Sequence, residues 1–163
     1  MTQNATTPHH DPAKKRTSGG ISGELICKYC NAVYQNKRWI PFEKLDPTFI
    51  DQLKKGVCPA CHLQQNHLSD GVVHLTGKMV GLHKEEIKNL LHNIAQKEEA
   101  RDIENRLERM EETDETITLY TSKNQLATEM GKHVDDAYKG GTLEIKWSKE
   151  DKPVEVRWHH DGK

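Results

Sequence analysis

Apolar and polar residues alternate with period two in three stretches near the C-terminus. Ile117 and Leu119 alternate with threonines across Thr116–Tyr120. Leu143, Ile145 and Trp147 alternate with Glu144 and Lys146, and Val154, Val156 and Trp158 with Glu155 and Arg157. A period of two marks half-buried strands. The last two runs flank Ser148–Pro153 and predict an antiparallel hairpin with one apolar and one charged face. Between the first strand and the hairpin, Leu126, Met130, Val134, Ala137 and Tyr138 share one helical face of Lys123–Lys139. Gly140-Gly141 supplies the stop. Residues 115–160 therefore read as a βαββ domain.

Upstream the period changes to 3.6. Ile87, Leu90, Leu91 and Ile94 predict an amphipathic helix over Leu82–Gln96. The pattern lapses at Lys97-Glu98-Glu99 and resumes at Ile103, Leu107 and Met110. This gives a helical connector over 82–114, either one long helix with a solvated middle or two helices with a kink. Val72–Leu75, between Gly71 and Gly77, is a short strand, as are Glu24-Leu25-Ile26 and Lys37–Phe42. Asp46-Pro47 has the form of an N-cap followed by Pro at N1 and predicts a helix over Pro47–Lys55, stopped at Gly56, with Phe49, Ile50 and Leu53 inward. Residues 1–23 are rich in Thr, His, Pro, Gly and Lys and predict a disordered tail.

The chain has 163 residues, of which 34% are hydrophobic and 30% charged, which favours small cores over one large one. Metal binding can replace missing burial in such a chain. Apolar runs reach nowhere near the 18 residues of a membrane span, and Met1–Gly20 has no apolar signal-peptide core. A soluble, cytoplasmic, reducing location is expected, which favours thiolates over disulfides.

The four cysteines form two identically spaced pairs, Cys27-x-x-Cys30 and Cys58-Pro59-Ala60-Cys61, separated by 27 residues. Two turns, each presenting two sulfurs, can complete a tetrahedron around one structural Zn²⁺. Asn31 and His62 follow the pairs. Both residue types tolerate the left-handed backbone that lets amides point at the sulfurs. Two disulfides are one alternative. Redox chemistry at Cys58-Pro59-Ala60-Cys61 is another, and it needs a preceding strand, whereas Asp51–Gly56 is polar and reads as helical. The expected class is α+β: a four-cysteine zinc ribbon over 24–81, the helical connector, then the βαββ domain.

Charge changes the picture locally. Residues 27–81 carry 7 basic and 4 acidic side chains, residues 82–118 carry 6 and 11, and residues 119–163 carry 8 and 8. With no overall basic footprint, any RNA contact is local. Lys28, Tyr29, Tyr34, Lys37, Arg38 and Trp39 interleave cations and rings beside the first pair, a pattern that can hold phosphates and stack bases. The competing reading packs Tyr34 and Trp39 in a small core. His62, His67, His74, His83 and His92 are too widely spaced for an obvious second metal site. No nucleophile-and-base motif or phosphate-binding Gly loop appears, so a non-enzyme is expected.

The cysteine pairs, Gly71-Val72-Val73-His74-Leu75-Thr76-Gly77, His83–Leu90, Leu126–Gly131 and Ala137-Tyr138-Lys139-Gly140-Gly141 together resemble a family of small bacterial proteins associated with a low-oxygen-activated gene cluster. More distantly, the chain is similar to the N-terminal part of the archaeal and eukaryotic export adaptor of the large ribosomal subunit, which carries paired CxxC motifs. The resemblance spans roughly residues 24–160. It implies an RNA- or ribosome-associated zinc protein with a role under stress or low oxygen; export itself does not carry over. A protein-interaction adaptor acting through the acidic helix or the charged hairpin face is the alternative. A zinc-thiolate redox sensor is a third.

Overall fold

The computed structural model describes residues 24–44, 52–147 and 152–162. It is a mixed α+β structure with two sheets. The first contains β1 (Leu25–Cys27), β2 (Val33–Gln35), β3 (Arg38–Ile40) and β4 (Lys54–Gly56), in the order β3-β2-β1-β4. β2 and β3 are joined by Asn36 and Lys37, both left-handed, with φ of 53° and 66°. Two consecutive positive φ values are the signature of a tight hairpin turn whose twist matches the strands. Lys37 is therefore a turn residue, not the first residue of a strand. β4 runs parallel to β1, with Cys27 opposite Gly56.

The helix expected over Pro47–Lys55 lies mostly outside the described residues, and its last part is corrected: Lys54–Gly56 is β4. Pairing with β1 supplies the backbone partners that an isolated helical turn would have had to make itself.

The second sheet contains β5 (Gly71–Thr76), β6 (Leu107–Glu112), β7 (Thr116–Thr121), β8 (Thr142–Lys146) and β9 (Val154–His159), in the order β6-β7-β5-β9-β8. The expected hairpin forms, with Leu143 opposite Trp158 and Ile145 opposite Val156. Trp147 lies beyond the end of β8 and is 62% exposed, so the alternation overran the strand by one turn of the pattern. β5 is the central strand, antiparallel to β7 and parallel to β9. The segments 24–81, 82–114 and 115–160 thus do not coincide with the two sheets, because β5 and β6 both join the C-terminal one.

Four α-helices, α1 (Pro59–Gln65), α2 (Lys78–Leu82), α3 (Lys84–Arg101) and α4 (Asn124–Ala137), and one 3-10 turn (Phe42–Lys44) complete the described structure. α4 and α3 cover one face of the five-stranded sheet. Leu126, Met130 and Val134 of α4 and Ile87 and Leu91 of α3 meet Val73, Leu119 and Val156 in the main core. Each such side chain contributes about 1.5–3 kcal/mol of burial. A smaller core around Leu25, Trp39 and the cysteines lies under the four-stranded sheet.

The connector is not helical throughout. α3 ends at Arg101 and is capped by Asp102, whose backbone is extended and whose carboxylate accepts from the Glu104 amide at 3.0 Å. Leu107 and Met110 then belong to β6, with a bulge between Leu107 and Arg109. The extra residue in the bulge lets positions three apart both face the core, and both pack against it. A spacing of three on a bulged strand imitates the helical repeat, which is why the sequence pattern read as helix.

Candidate metal centre

Parallel pairing of β1 with β4 builds the site. Cys27 ends β1, and its partner Gly56 lies two residues before Cys58, so the two pairs leave the sheet side by side. The Lys28 amide donates to the Gly56 carbonyl at 3.0 Å and holds the exits together. After Cys27 the chain makes a tight turn: the Asn31 amide donates to the Cys27 carbonyl at 2.9 Å, and Asn31 has φ 64° as its residue type suggested.

The second pair is built differently. Cys58 is the N-cap of α1, Pro59 is its first residue, and the Cys61 amide donates to Cys58 Sγ at 3.4 Å. His62 sits inside this helix, not in a left-handed conformation, which corrects the expectation for that residue. The strand missing from the sequence reading is also present, since β4 leads into Cys58. Strand, CxxC and helix in that order are found at thiol redox sites. Here, however, the sulfurs of the other pair complete a four-sulfur cluster.

The four Sγ atoms all lie within 4.8 Å of one another, and all four cysteines are free. Cys27, Cys58 and Cys61 are buried and Cys30 is partly exposed. Cys30 Sγ and Cys58 Sγ are 3.8 Å apart. A tetrahedral ion with Zn–S bonds near 2.3 Å requires sulfur separations of about 3.8 Å, so the donor set and spacing fit one such metal ion. Among the described residues, no other group of three His, Cys, Asp or Glu side chains has such spacing.

The hydrogen bond with Cys58 holds the Cys30 thiol down, with the Ala32 amide and Arg106 assisting against burial. The same contact, with burial, pushes Cys58 up. Burial pushes Cys61 up to about 11. Four sulfurs this close cannot all be thiolates without a cation among them.

Sequence reasoning missed Arg106. It lies at the threshold of β6, and its guanidinium donates to Cys30 Sγ at 3.2 Å, Cys61 Sγ at 3.4 Å and Cys58 Sγ at 3.6 Å. Burial works against its charge, but the hydrogen bond to Cys30 and the charges of Cys58 and Cys30 push its pKa up. Nothing in the linear sequence marks it, because it stands 45 residues beyond Cys61.

The six residues read as an RNA surface are divided. Trp39 is 5% exposed and meets Tyr34, itself partly buried, edge-on with ring centroids 5.4 Å apart. The Trp39 ring is a core group and cannot stack a base. Tyr29 is 49% exposed, with Lys28 Nζ 5.3 Å from its ring centroid. Lys37 and Arg38 are exposed, but at the other end of the sheet: their hairpin turn follows Gln35, while Lys28 and Tyr29 follow Cys27 at the opposite end of the antiparallel β1–β2 pair. Lys54, opposite Leu25, lies at the same end as Lys37 and Arg38.

Among the described residues no helix is long and apolar enough to cross a membrane. Comparison of the chain with protein-family models, with curated proteins and with solved structures finds no match in any of the three.

Proposed function

We propose that this chain is a non-enzymatic protein in which one structural zinc ion organises a small basic platform for RNA, ribosomal RNA included. The carrying observation is the cluster of four sulfurs within 4.8 Å, mostly buried and fed by a turn after β1 and a helix N-terminus after β4. Zinc is the metal that best matches four thiolates and makes no demand on the site for redox chemistry.

The RNA reading is supported by charge. Residues 24–44 and 52–61 carry six Lys or Arg and two Glu. Among these, Lys28, Lys37, Arg38, Lys54 and Lys55 are exposed and form no ion pair with another described residue. Lys28 beside the exposed Tyr29 suits phosphate contact with one stacked base, and Lys37, Arg38 and Lys54 offer phosphate contacts at the other end of the sheet. A role at the ribosome under stress or low oxygen rests on the family resemblance alone.

Co-sedimentation with ribosomes at two salt concentrations tests this. Binding at low salt that weakens steeply at high salt is expected, with Lys37→Ala/Arg38→Ala reducing the slope. Absence from ribosomal fractions at low salt would refute it. The exposed Leu82 and Trp147, 75% and 62% accessible, favour the adaptor reading instead, in which another protein covers them.

A further inference from the structure

Arg106 does not belong to the unit that carries the cysteines. It enters from the five-stranded sheet, and its backbone is fixed there. Its amide donates to Ser122 Oγ at 2.7 Å, and the Ser122 amide returns a bond to the Arg106 carbonyl at 2.9 Å. Ser122 is 3% exposed and its hydroxyl also donates to the Glu104 carbonyl. The side chain is fixed as well: Arg106 Nε donates to the Ile103 carbonyl at 2.7 Å, and Ile103 packs against the small core around the cysteines. With Nε so engaged, the two terminal nitrogens are left to point at the sulfurs.

The division of donors among the four sulfurs is complete. Cys27 Sγ accepts from the Cys58 amide at 3.4 Å. Cys30 and Cys61 accept from Arg106, and Cys58 from both Arg106 and the Cys61 amide. A divalent ion held by four thiolates carries a net charge of about −2. One half-buried guanidinium halves it, and its planar fork reaches three sulfurs at once, which a lysine ammonium on a flexible stem cannot reproduce.

We infer that Arg106 is the positioning residue of the metal centre: by donating to three cysteine sulfurs from the neighbouring sheet, it lowers the charge of the tetrathiolate and ties metal occupancy to the docking of the two sheets. This rests on the metal reading above. Hydrogen-bonding partners of metal ligands commonly contribute about 10–100-fold to affinity. The fixed Ser122 lock makes Arg106 a preorganised one.

The test uses the full-length protein, with zinc affinity measured by competition with a chromophoric chelator and the sulfur-to-metal charge-transfer band recorded after loading with Co²⁺. Arg106→Met, similar in length and apolar, should bind zinc about 10–100-fold more weakly. Its Co²⁺ band should move to longer wavelength, because sulfurs that lose N–H donors give up electrons more easily. Arg106→Lys should restore part of the affinity and leave the band between the two. Should Arg106→Met fail to fold, Arg106→Lys and Ser122→Ala supply the comparison, both being expected to weaken zinc and shift the band in the same direction. Variants with wild-type affinity, or with weaker affinity but an unshifted band, would overturn the inference. A wild-type protein that binds neither zinc nor Co²⁺ would instead overturn the metal reading itself.

Discussion

Gly131 of α4 lies directly against Val156 of β9: a Cβ on Gly131 would come within 2.4 Å of Val156 Cγ1 and 3.2 Å of Leu143 Cδ1. The absent side chain lets the helix approach the sheet closely enough for Met130 and Val134 to be fully buried. Two effects compete in Gly131→Ala. Helix propensity favours alanine by about 1 kcal/mol. Overpacking a filled core costs about 1–3 kcal/mol. With contact at 2.4 Å the second prevails, so denaturant unfolding should show Gly131→Ala destabilised, by up to about 2 kcal/mol net. Combining it with Val156→Ala should cost less than the sum of the two single changes, since the removed methyls make the room.

Glu108 is the extra residue of the bulge in β6, and its Oε2 is buried without a hydrogen-bond partner. Burial, and then the charge of Asp70, push its carboxyl up from 4.5 to about 7, against the opposing pull of Arg106 and Arg109. The folded protein therefore keeps this proton up to about pH 7, while the unfolded chain releases it near 4.5. Between those values the folded state binds more protons, so this group's contribution to stability declines as pH rises across that window. Discounted for its partial exposure, the loss is on the order of 1–2 kcal/mol. Glu108→Gln should raise stability by about that much at pH 8 and change it little at pH 4.5. An equal effect at both pH values would contradict this account.

Trp39 and Tyr29 should separate packing from recognition. Trp39→Ala opens the small core and should cost about 3–5 kcal/mol, or as much of that as the four-stranded sheet has to lose. Trp39→Phe should keep the fold and leave RNA affinity unchanged. Tyr29→Ala should leave thermal stability within about 0.5 kcal/mol, as exposed substitutions do, and weaken binding to single-stranded RNA. Filter binding and thermal denaturation of the three variants read the two effects independently.

Metal removal should act unevenly. The core around Leu25, Trp39 and the cysteines is separate from the one around Val73, Leu119 and Leu126. Chelation, or Cys58→Ser, should deprotect the amides of Leu25–Cys27 and Pro59–Gln65 in hydrogen exchange, while β5 and β7 stay protected. Uniform loss of protection would mean that the two cores unfold as one.

Several elements were legible because their signals are local. The C-terminal hairpin follows from strict alternation, and α4 from the spacing of Leu126, Met130 and Val134 before Gly140-Gly141. The left-handed Asn31 follows from its place after a CxxC pair. Other readings failed where a long-range partner decides the outcome. Lys54-Lys55-Gly56 has no strand character of its own and becomes one by pairing with Leu25–Cys27. Leu107 and Met110 keep a helical spacing on a bulged strand. His62 became helical because Cys58 is an N-cap, a role its sulfur fills by accepting from the Cys61 amide.

The sequence by itself determined the four ligand candidates, the C-terminal strand–helix–hairpin order and the buried faces of α3, β7 and β9, since these depend on spacing along one stretch of chain. Only the tertiary structure decided that β5 is the central strand between β7 and β9. It alone decided that Trp39 is core while Tyr29 is surface, and that Arg106 faces three sulfurs. These follow from contacts between residues tens of positions apart, and such contacts are set by packing and charge compensation across two sheets, which no local period records.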